Sequence, residues 1–158
     1  MRYAEIITCE CYNGPNWGAT FALQGCPHHC KGCFNPETWD FSGGKEFTPE
    51  TLNEIYKALC PKHITRLSIQ GGEPLCQENL FLTTLVCDMV RTKLPDIKIY
   101  IWTGYLKEEL EESCDPKMKR ILDGTYCDVL IDGPFIEDLK DTTLFMRGSS
   151  NQRIIPLT

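Results

Sequence analysis

Residues 64–74 read Ile64-Thr65-Arg66-Leu67-Ser68-Ile69-Gln70-Gly71-Gly72-Glu73-Pro74, a strand-type run stopped at once by two glycines, a glutamate and a proline. The same punctuation recurs along the chain. Residues 20–24 (TFALQ) run into Gly25-Cys26-Pro27, residues 97–102 (IKIYIW) stop at Thr103-Gly104, and residues 127–131 (CDVLI) stop at Asp132-Gly133-Pro134. Helical patterns separate these strands. Thr48 is placed to cap a helix with Pro49 in its first turn, and Leu52, Ile55, Tyr56 and Leu59 give that helix one apolar face. A second helix is predicted over 78–93, with Phe81, Leu82, Leu85, Val86, Met89 and Val90 facing inward. Two shorter pieces follow, one holding Leu106 and Leu110. The other opens at Asp115-Pro116, carries Met118, Ile121 and Leu122, and ends near Gly124. Residues 34–47, marked by Asn35-Pro36 and Gly43-Gly44, read as irregular. The order is β-loop-α-β-α-β-α-β, which predicts an α/β fold with a mostly parallel sheet. Right-handed crossovers then bring the carboxyl ends of the strands, and the loops that follow them, to one rim.

The length bounds this reading. A chain of 158 residues fits a single domain, 1–158, and falls short of the roughly 250 residues of a complete eightfold β/α barrel. Hydrophobic residues are 42% and charged residues 24%, which supplies a packed core and excludes a disordered chain. The net charge of −6, with no Lys/Arg run, argues against a nucleic-acid partner. The longest nearly apolar stretch, 80–90, is too short to span a bilayer, and the first residues lack the apolar core of a secretion signal. The expectation is a soluble, intracellular protein without a membrane partner.

Ten cysteines are many for a chain of this kind. In a reducing compartment such a number suggests metal ligation rather than disulfides. Cys26, Cys30 and Cys33 cluster in Gly25-Cys26-Pro27-His28-His29-Cys30-Lys31-Gly32-Cys33, while Cys9, Cys11, Cys60, Cys76, Cys87, Cys114 and Cys127 are scattered and read as small core residues. A loop with three cysteines spaced x3 and x2 suits three corners of a cubane iron–sulfur cluster, with the fourth iron left for a ligand. Zinc held by the same thiols plus His28 or His29 is the competing reading, although neither histidine has the usual finger spacing. Gly71-Gly72-Glu73-Pro74 favours the cluster. Its glycines let backbone approach a small ligand, its carboxylate accepts from an ammonium, and a zinc module has no use for either.

The Cys26-x3-Cys30-x2-Cys33 motif followed by Gly71-Gly72-Glu73-Pro74 resembles the radical S-adenosylmethionine superfamily. Within it, the chain is similar to the branch that activates anaerobic ribonucleoside-triphosphate reductase. The residues behind the narrower resemblance are Asn13-Gly14-Pro15, Gln24 to Asn35, Thr38-Trp39, Ile101 to Tyr105, Ile131 to Phe135, Asp138 to Asp141, and the tail Arg147-Gly148-Ser149-Ser150-Asn151-Gln152. The superfamily usually carries an aromatic residue just before the third cysteine. Gly32 stands there, with Phe34 on the other side.

The resemblance implies a partial, open β/α barrel of about five or six mostly parallel strands. It implies one [4Fe–4S] cluster on Cys26, Cys30 and Cys33, with S-adenosylmethionine on the open iron. Gly71, Gly72 and Glu73 would hold the methionine end, Gly32, Cys33 and Phe34 would line the adenine side, and Thr103 would touch the nucleoside. The activity implied is reductive cleavage of S-adenosylmethionine to methionine and a 5′-deoxyadenosyl radical, which takes a hydrogen from a glycine of the partner. That partner is the large anaerobic ribonucleotide reductase subunit, with a low-potential electron donor such as flavodoxin or ferredoxin, all in the cytoplasm. Two alternatives stand beside it: an activator of another glycyl-radical enzyme such as pyruvate formate-lyase, and a non-catalytic zinc-binding interaction module. Trp39 and Trp102 read as packing residues. Asp132 reads equally as a rim hydrogen-bonder or a turn residue. The tail 147–153 reads as a polar turn on composition, and as part of the pocket mouth on resemblance.

Overall fold

A computed structural model describes all of residues 1–158. In chain order the elements are β1 (Arg2–Glu10), β2 (Gly18–Leu23), β3 (Lys45–Glu46), α1 (Pro49–Leu59), β4 (Arg66–Gly71), α2 (Gln77–Lys93), β5 (Lys98–Trp102), α3 (Lys107–Glu111), α4 (Pro116–Leu122), β6 (Val129–Asp132) and β7 (Arg153–Pro156). They form one seven-stranded sheet in the order β3-β1-β2-β4-β5-β6-β7, and it does not close. The four strands legible in the sequence make the parallel centre, β2-β4-β5-β6. Three strands are added antiparallel at its margins: β1 and β3 on one side, β7 on the other. The expected five or six strands are therefore seven.

The strands alternate in polarity because their two faces do different work. Phe21, Leu67, Ile69, Ile101 and Leu130 share one face and join Ile55 of α1, Leu82 and Val86 of α2 and Ile121 of α4 in a single core. Thr20, Ser68, Tyr100 and Val129 lie in register on the other face. A parallel sheet buried under helices on both faces reads as continuous apolar runs. Here helices cover one face, and loops close over the other.

The local signals are those expected. Thr48 caps α1 through the Thr51 N–H, with Pro49 in the first turn, and Asp115 caps α4 through the Lys117 N–H. One inward residue is corrected: Phe81 is 52% exposed. It lies seven residues before exposed Asp88, on the solvent stripe of α2, while Leu80, Thr83 and Cys87 take the sheet side. The scattered cysteines also divide. Cys76, Cys87 and Cys127 pack in the interior, but Cys9, Cys11, Cys60 and Cys114 are exposed, because they fall on margins and loops that no helix covers. No helix is long and apolar enough to cross a membrane.

Charge is buried at the foot of the centre strands. Arg66 is 1% exposed, and its guanidinium meets the Glu10 carboxylate at 2.8 Å, the carbonyls of Asn13 (2.7 Å) and Pro15 (3.0 Å), and the Ser68 hydroxyl. These bonds fold residues 11–17 back over the uncovered face. Gly14 and Gly18 leave room for the guanidinium, since a Cβ on either would stand under 3 Å from it.

Candidate active site

The strand ends meet as the rim argument requires. A pocket of about 510 Å³ is lined by Cys26, Cys30 and Cys33, by Gly71, Gly72 and Glu73 after β4, by Thr103 and Gly104 after β5, and by Gly133 after β6. Phe34, Trp39 and Trp102 line it too, so both tryptophans face the pocket as well as packing. Gly32 is the one expected site residue outside this lining. Its φ of 74° supplies the turn between Cys30 and Cys33, and a Cβ there would press on the Glu137 carboxylate at 2.8 Å.

Backbone bonds set the cysteine loop against the glycine pair. Gly72 N–H donates to the Leu23 carbonyl and Glu73 N–H to the Gly25 carbonyl, each at 2.8 Å. Asn79 Nδ2 donates to the Gly25 and Glu73 carbonyls at 3.0 Å. Only glycine allows this approach, because a Cβ on residue 72 would lie 2.2 Å from the Gly25 carbonyl oxygen. Gly25 has φ 98°, and a Cβ there would strike the Phe41 ring.

Glu73 is buried, and its carboxylate is the hub of the rim. Oε1 accepts from the Thr103 hydroxyl at 2.7 Å and the Leu75 N–H at 2.9 Å. Oε2 accepts from the Gly104 N–H and pairs with His28 Nε2, both at 2.7 Å. One carboxylate thus ties the ends of β4 and β5 to the cysteine loop. His28 packs edge-on against Tyr105, with ring centroids 4.5 Å apart, and His29 stacks on Trp39 at 4.7 Å. Both histidines thus brace the loop against neighbouring rings.

The thiols fit a cationic iron–sulfur group. Burial pushes the Cys26 thiol up to about 11, with backbone N–H groups of His28 and His29 and the Glu73 charge as smaller influences. Burial also raises Cys30, against an opposing N–H donor from Phe135. Asn35 N–H donates to Cys33 Sγ at 3.4 Å. A metal cluster held by these sulfurs would take them as thiolates, its own positive charge offsetting the desolvation that burial imposes. No three His, Cys, Asp or Glu side chains are drawn together closely enough to hold a single metal ion.

Asp132 and the tail 147–153, each open to two readings in the sequence, have definite places in the structure. Asp132 is fully buried and bonds the Lys107 N–H (2.7 Å) and the Arg153 guanidinium, which makes it a rim hydrogen-bonder. The tail forms part of the pocket wall: Met146, Arg147, Gly148 and Gln152 all line it. Tyr12 and Asn13 line the pocket as well and carry no local signal of it, since bonds with Glu10, Thr20, Arg66 and Ser68 bring the 11–17 loop here.

An open α/β sheet that gathers three loop cysteines at its glycine-rich strand ends matches a described class. The family described as a 4Fe-4S single cluster domain matches residues 12–155, and the chain belongs to it. Among curated relatives, the chain is similar to the anaerobic ribonucleoside-triphosphate reductase-activating protein of Vibrio cholerae, 38% identical over 156 residues (98% of this chain, 97% of the relative). Proteins of the same name from Escherichia coli K12 (35% over 154 residues, 96% of each chain) and Enterobacteria phage T4 (34% over 154 residues, 98% of this chain and 93% of the relative) are similar over the same span.

Proposed function

We propose that this protein activates the anaerobic ribonucleoside-triphosphate reductase by cluster-dependent cleavage of S-adenosylmethionine, on the frame of a partial, open β/α barrel of the radical S-adenosylmethionine type. The observation that carries the reading is the shared pocket of Cys26, Cys30 and Cys33 with Gly71, Gly72, Glu73 and Thr103, in a chain alignable end to end with activating proteins of that reductase. In this reading Cys26, Cys30 and Cys33 hold a [4Fe–4S] cluster. When bound and reduced, the cluster supplies the electron that splits S-adenosylmethionine into methionine and a 5′-deoxyadenosyl radical able to take hydrogen from a glycine of the large reductase subunit.

The chain's own residues do the positioning. Gly71 and Gly72 offer bare backbone to the methionine end. Glu73 keeps that backbone in place through its four internal bonds, and its negative charge lies beside the same end to favour the ammonium. Phe34, after Cys33, gives an apolar wall on the adenine side, where its ring lies 5.1 Å from that of Phe135. The Thr103 hydroxyl is fixed by its bond to Glu73, and the residue lines the pocket where it would touch the nucleoside. The open sheet leaves the mouth wide enough for a protein loop, and a low-potential flavodoxin or ferredoxin serves as electron donor.

The test is anaerobic reconstitution with iron and sulfide, followed by reduction in the presence of S-adenosylmethionine. Formation of 5′-deoxyadenosine, and of a glycyl radical when the large subunit is present, is the expected result. A protein that takes up stoichiometric zinc, and neither builds the cluster nor cleaves S-adenosylmethionine, overturns the reading.

A further inference from the structure

Most large apolar side chains left in water on this protein are scattered: Met1 at the chain start, Trp17 just before β2, Phe81 on the solvent stripe of α2. One group is not. Tyr12 and Phe34 line the pocket and are still 67% and 57% exposed. Phe145, 61% exposed, stands between the lining residues Leu144 and Met146, and exposed Ile136 follows the lining residue Phe135. Apolar groups gathered in water about one opening mark a surface that another molecule covers.

These side chains belong to two walls. Residues 11–13 fold over β2, where Asn13 Nδ2 donates to Thr20 Oγ1 at 3.0 Å. The segment 134–152 folds over β5 and β6: the Met146 carbonyl accepts from Trp102 Nε1 at 2.9 Å, and Gln152 Nε2 donates to the Gly133 carbonyl at 3.0 Å. In the sheet order, β4 and β5 run between β2 and β6, and Gln70 of β4 and Trp102 of β5 line the pocket there. The two walls thus bound a cleft across the face of the sheet that no helix covers.

Both walls are set in place by the chain itself. Tyr12 N–H donates to the Glu10 carboxylate at 2.8 Å. Gly148 N–H donates to Gln152 Oε1 at 2.8 Å, and Met146 has φ 59°, which a non-glycine residue adopts only under constraint. Charges beside the rings are engaged within the fold. Lys31 pairs with Glu137 at 3.4 Å, the Lys140 ammonium lies 5.0 Å over the Phe34 ring, and Asp141 accepts from Thr143. Rings held this way lose little freedom when a partner covers them.

We propose that these two walls are the docking surface for the large subunit of the anaerobic reductase, a segment of which crosses the cleft between Tyr12 and Phe145 and covers both rings. The inference rests on the function proposed above, and that reaction selects the occupant. A glycine inside a chain carries residues on both sides of it, so it reaches the cysteine end of the pocket only when those residues pass over the mouth.

The experiment is equilibrium binding of the purified large subunit to the anaerobically reconstituted protein, comparing the parent with Tyr12→Ser, Phe145→Ser and the control Phe81→Ser. Iron content and melting temperature check that the variants are intact, as three rings mostly in water should allow. Each of Tyr12→Ser and Phe145→Ser should weaken capture of the subunit by about tenfold or more, the loss of an aromatic anchor at an interface, and Phe81→Ser should leave it unchanged. Phe145→Ser should also cleave S-adenosylmethionine at the parent's rate when the subunit is absent. Capture equal to the parent's in either serine variant of the walls, or equal weakening by Phe81→Ser, overturns the docking surface and leaves the functional reading standing. A reconstituted parent that neither cleaves S-adenosylmethionine nor captures the subunit removes the functional reading, and the docking surface with it.

Discussion

Arg66→Met removes the charge that anchors the uncovered face of the sheet. In the parent, the Arg66 and Glu10 side chains are each 1% exposed and meet at 2.8 Å. The substitution leaves Glu10 with the Thr20 hydroxyl and the Tyr12 and Asn13 N–H groups, each at 2.8 Å, and with no cation. Breaking a buried pair in this way costs roughly 3–5 kcal/mol, because the remaining charge stays out of water. For a chain of this length each kcal/mol shifts the melting temperature by about 2–4 °C, so a fall of roughly 6–20 °C is expected. The pH dependence carries the sign of the cause. Burial raises the Glu10 carboxyl, but the bonds from Arg66, Asn13, Thr20 and Tyr12 outweigh it and hold the group below its ordinary 4.5. A depressed carboxyl stabilises fully above its unfolded value, and that stability is lost as pH falls through the folded one. In the variant the carboxyl rises and takes a proton earlier, so the penalty should shrink between about pH 7 and about pH 5. Circular dichroism melts of both proteins at the two pH values measure it. A loss below about 1 kcal/mol, or a penalty that does not change with pH, refutes the buried-pair argument.

Cys30→Ala should abolish cluster assembly and S-adenosylmethionine cleavage, whereas Cys60→Ala and Cys87→Ala should keep both, as iron analysis and 5′-deoxyadenosine yield will show. Gly72→Ala sets a Cβ 2.2 Å from the Gly25 carbonyl, so the cysteine loop must shift; S-adenosylmethionine affinity should fall by at least about tenfold in equilibrium binding. Thr103→Val deletes the 2.7 Å bond to Glu73 and leaves that carboxylate oxygen one donor short, a loss of about 1–3 kcal/mol readable in denaturant midpoints. Asp128→Asn serves as a control away from the pocket. It removes the charge that Arg91 and Lys98 share, and should cost about 1–3 kcal/mol near neutral pH. Burial raises the Asp128 carboxyl, but the Ile99 N–H, Arg91 and Lys98 bonds outweigh it and hold the group low. The cost should therefore fade as pH drops through its folded value, with ligand affinity unchanged.

What was legible in the sequence is what local rules control. The Gly-Gly, Thr-Gly and Asp-Gly pairs mark strand ends because turns need those residues, and parallel topology then dictates that the ends share a rim. Three cysteines in eight residues mark a ligand loop in the same local way. The sheet margins were not legible, for different reasons. β1 buries Tyr3 and Glu10 at its ends and has register shifts between them, so it shows no clean alternation. β3 is two exposed residues, and β7 is largely exposed. Arg66 reads as a surface residue in any local window; its burial depends on carbonyls 50 to 53 positions away. Phe81 shows the converse limit, since a helix face with apolar residues nearly all round leaves more than one inward choice. Arg147 was visible only as part of a polar tail; its place in the pocket wall depends on distant bonds that its neighbours make to Trp102 and Gly133.

In the proposed function, three thiolates leave one iron for S-adenosylmethionine. Electron–nuclear double resonance of the reduced, cluster-loaded protein with S-adenosylmethionine labelled at its amino nitrogen and carboxylate oxygen tests this most directly. The prediction is hyperfine coupling from both labels to the cluster, lost in Cys30→Ala along with the cluster itself. A cluster that shows no coupling to either label, with an imidazole or a fourth cysteine on the remaining iron, contradicts it.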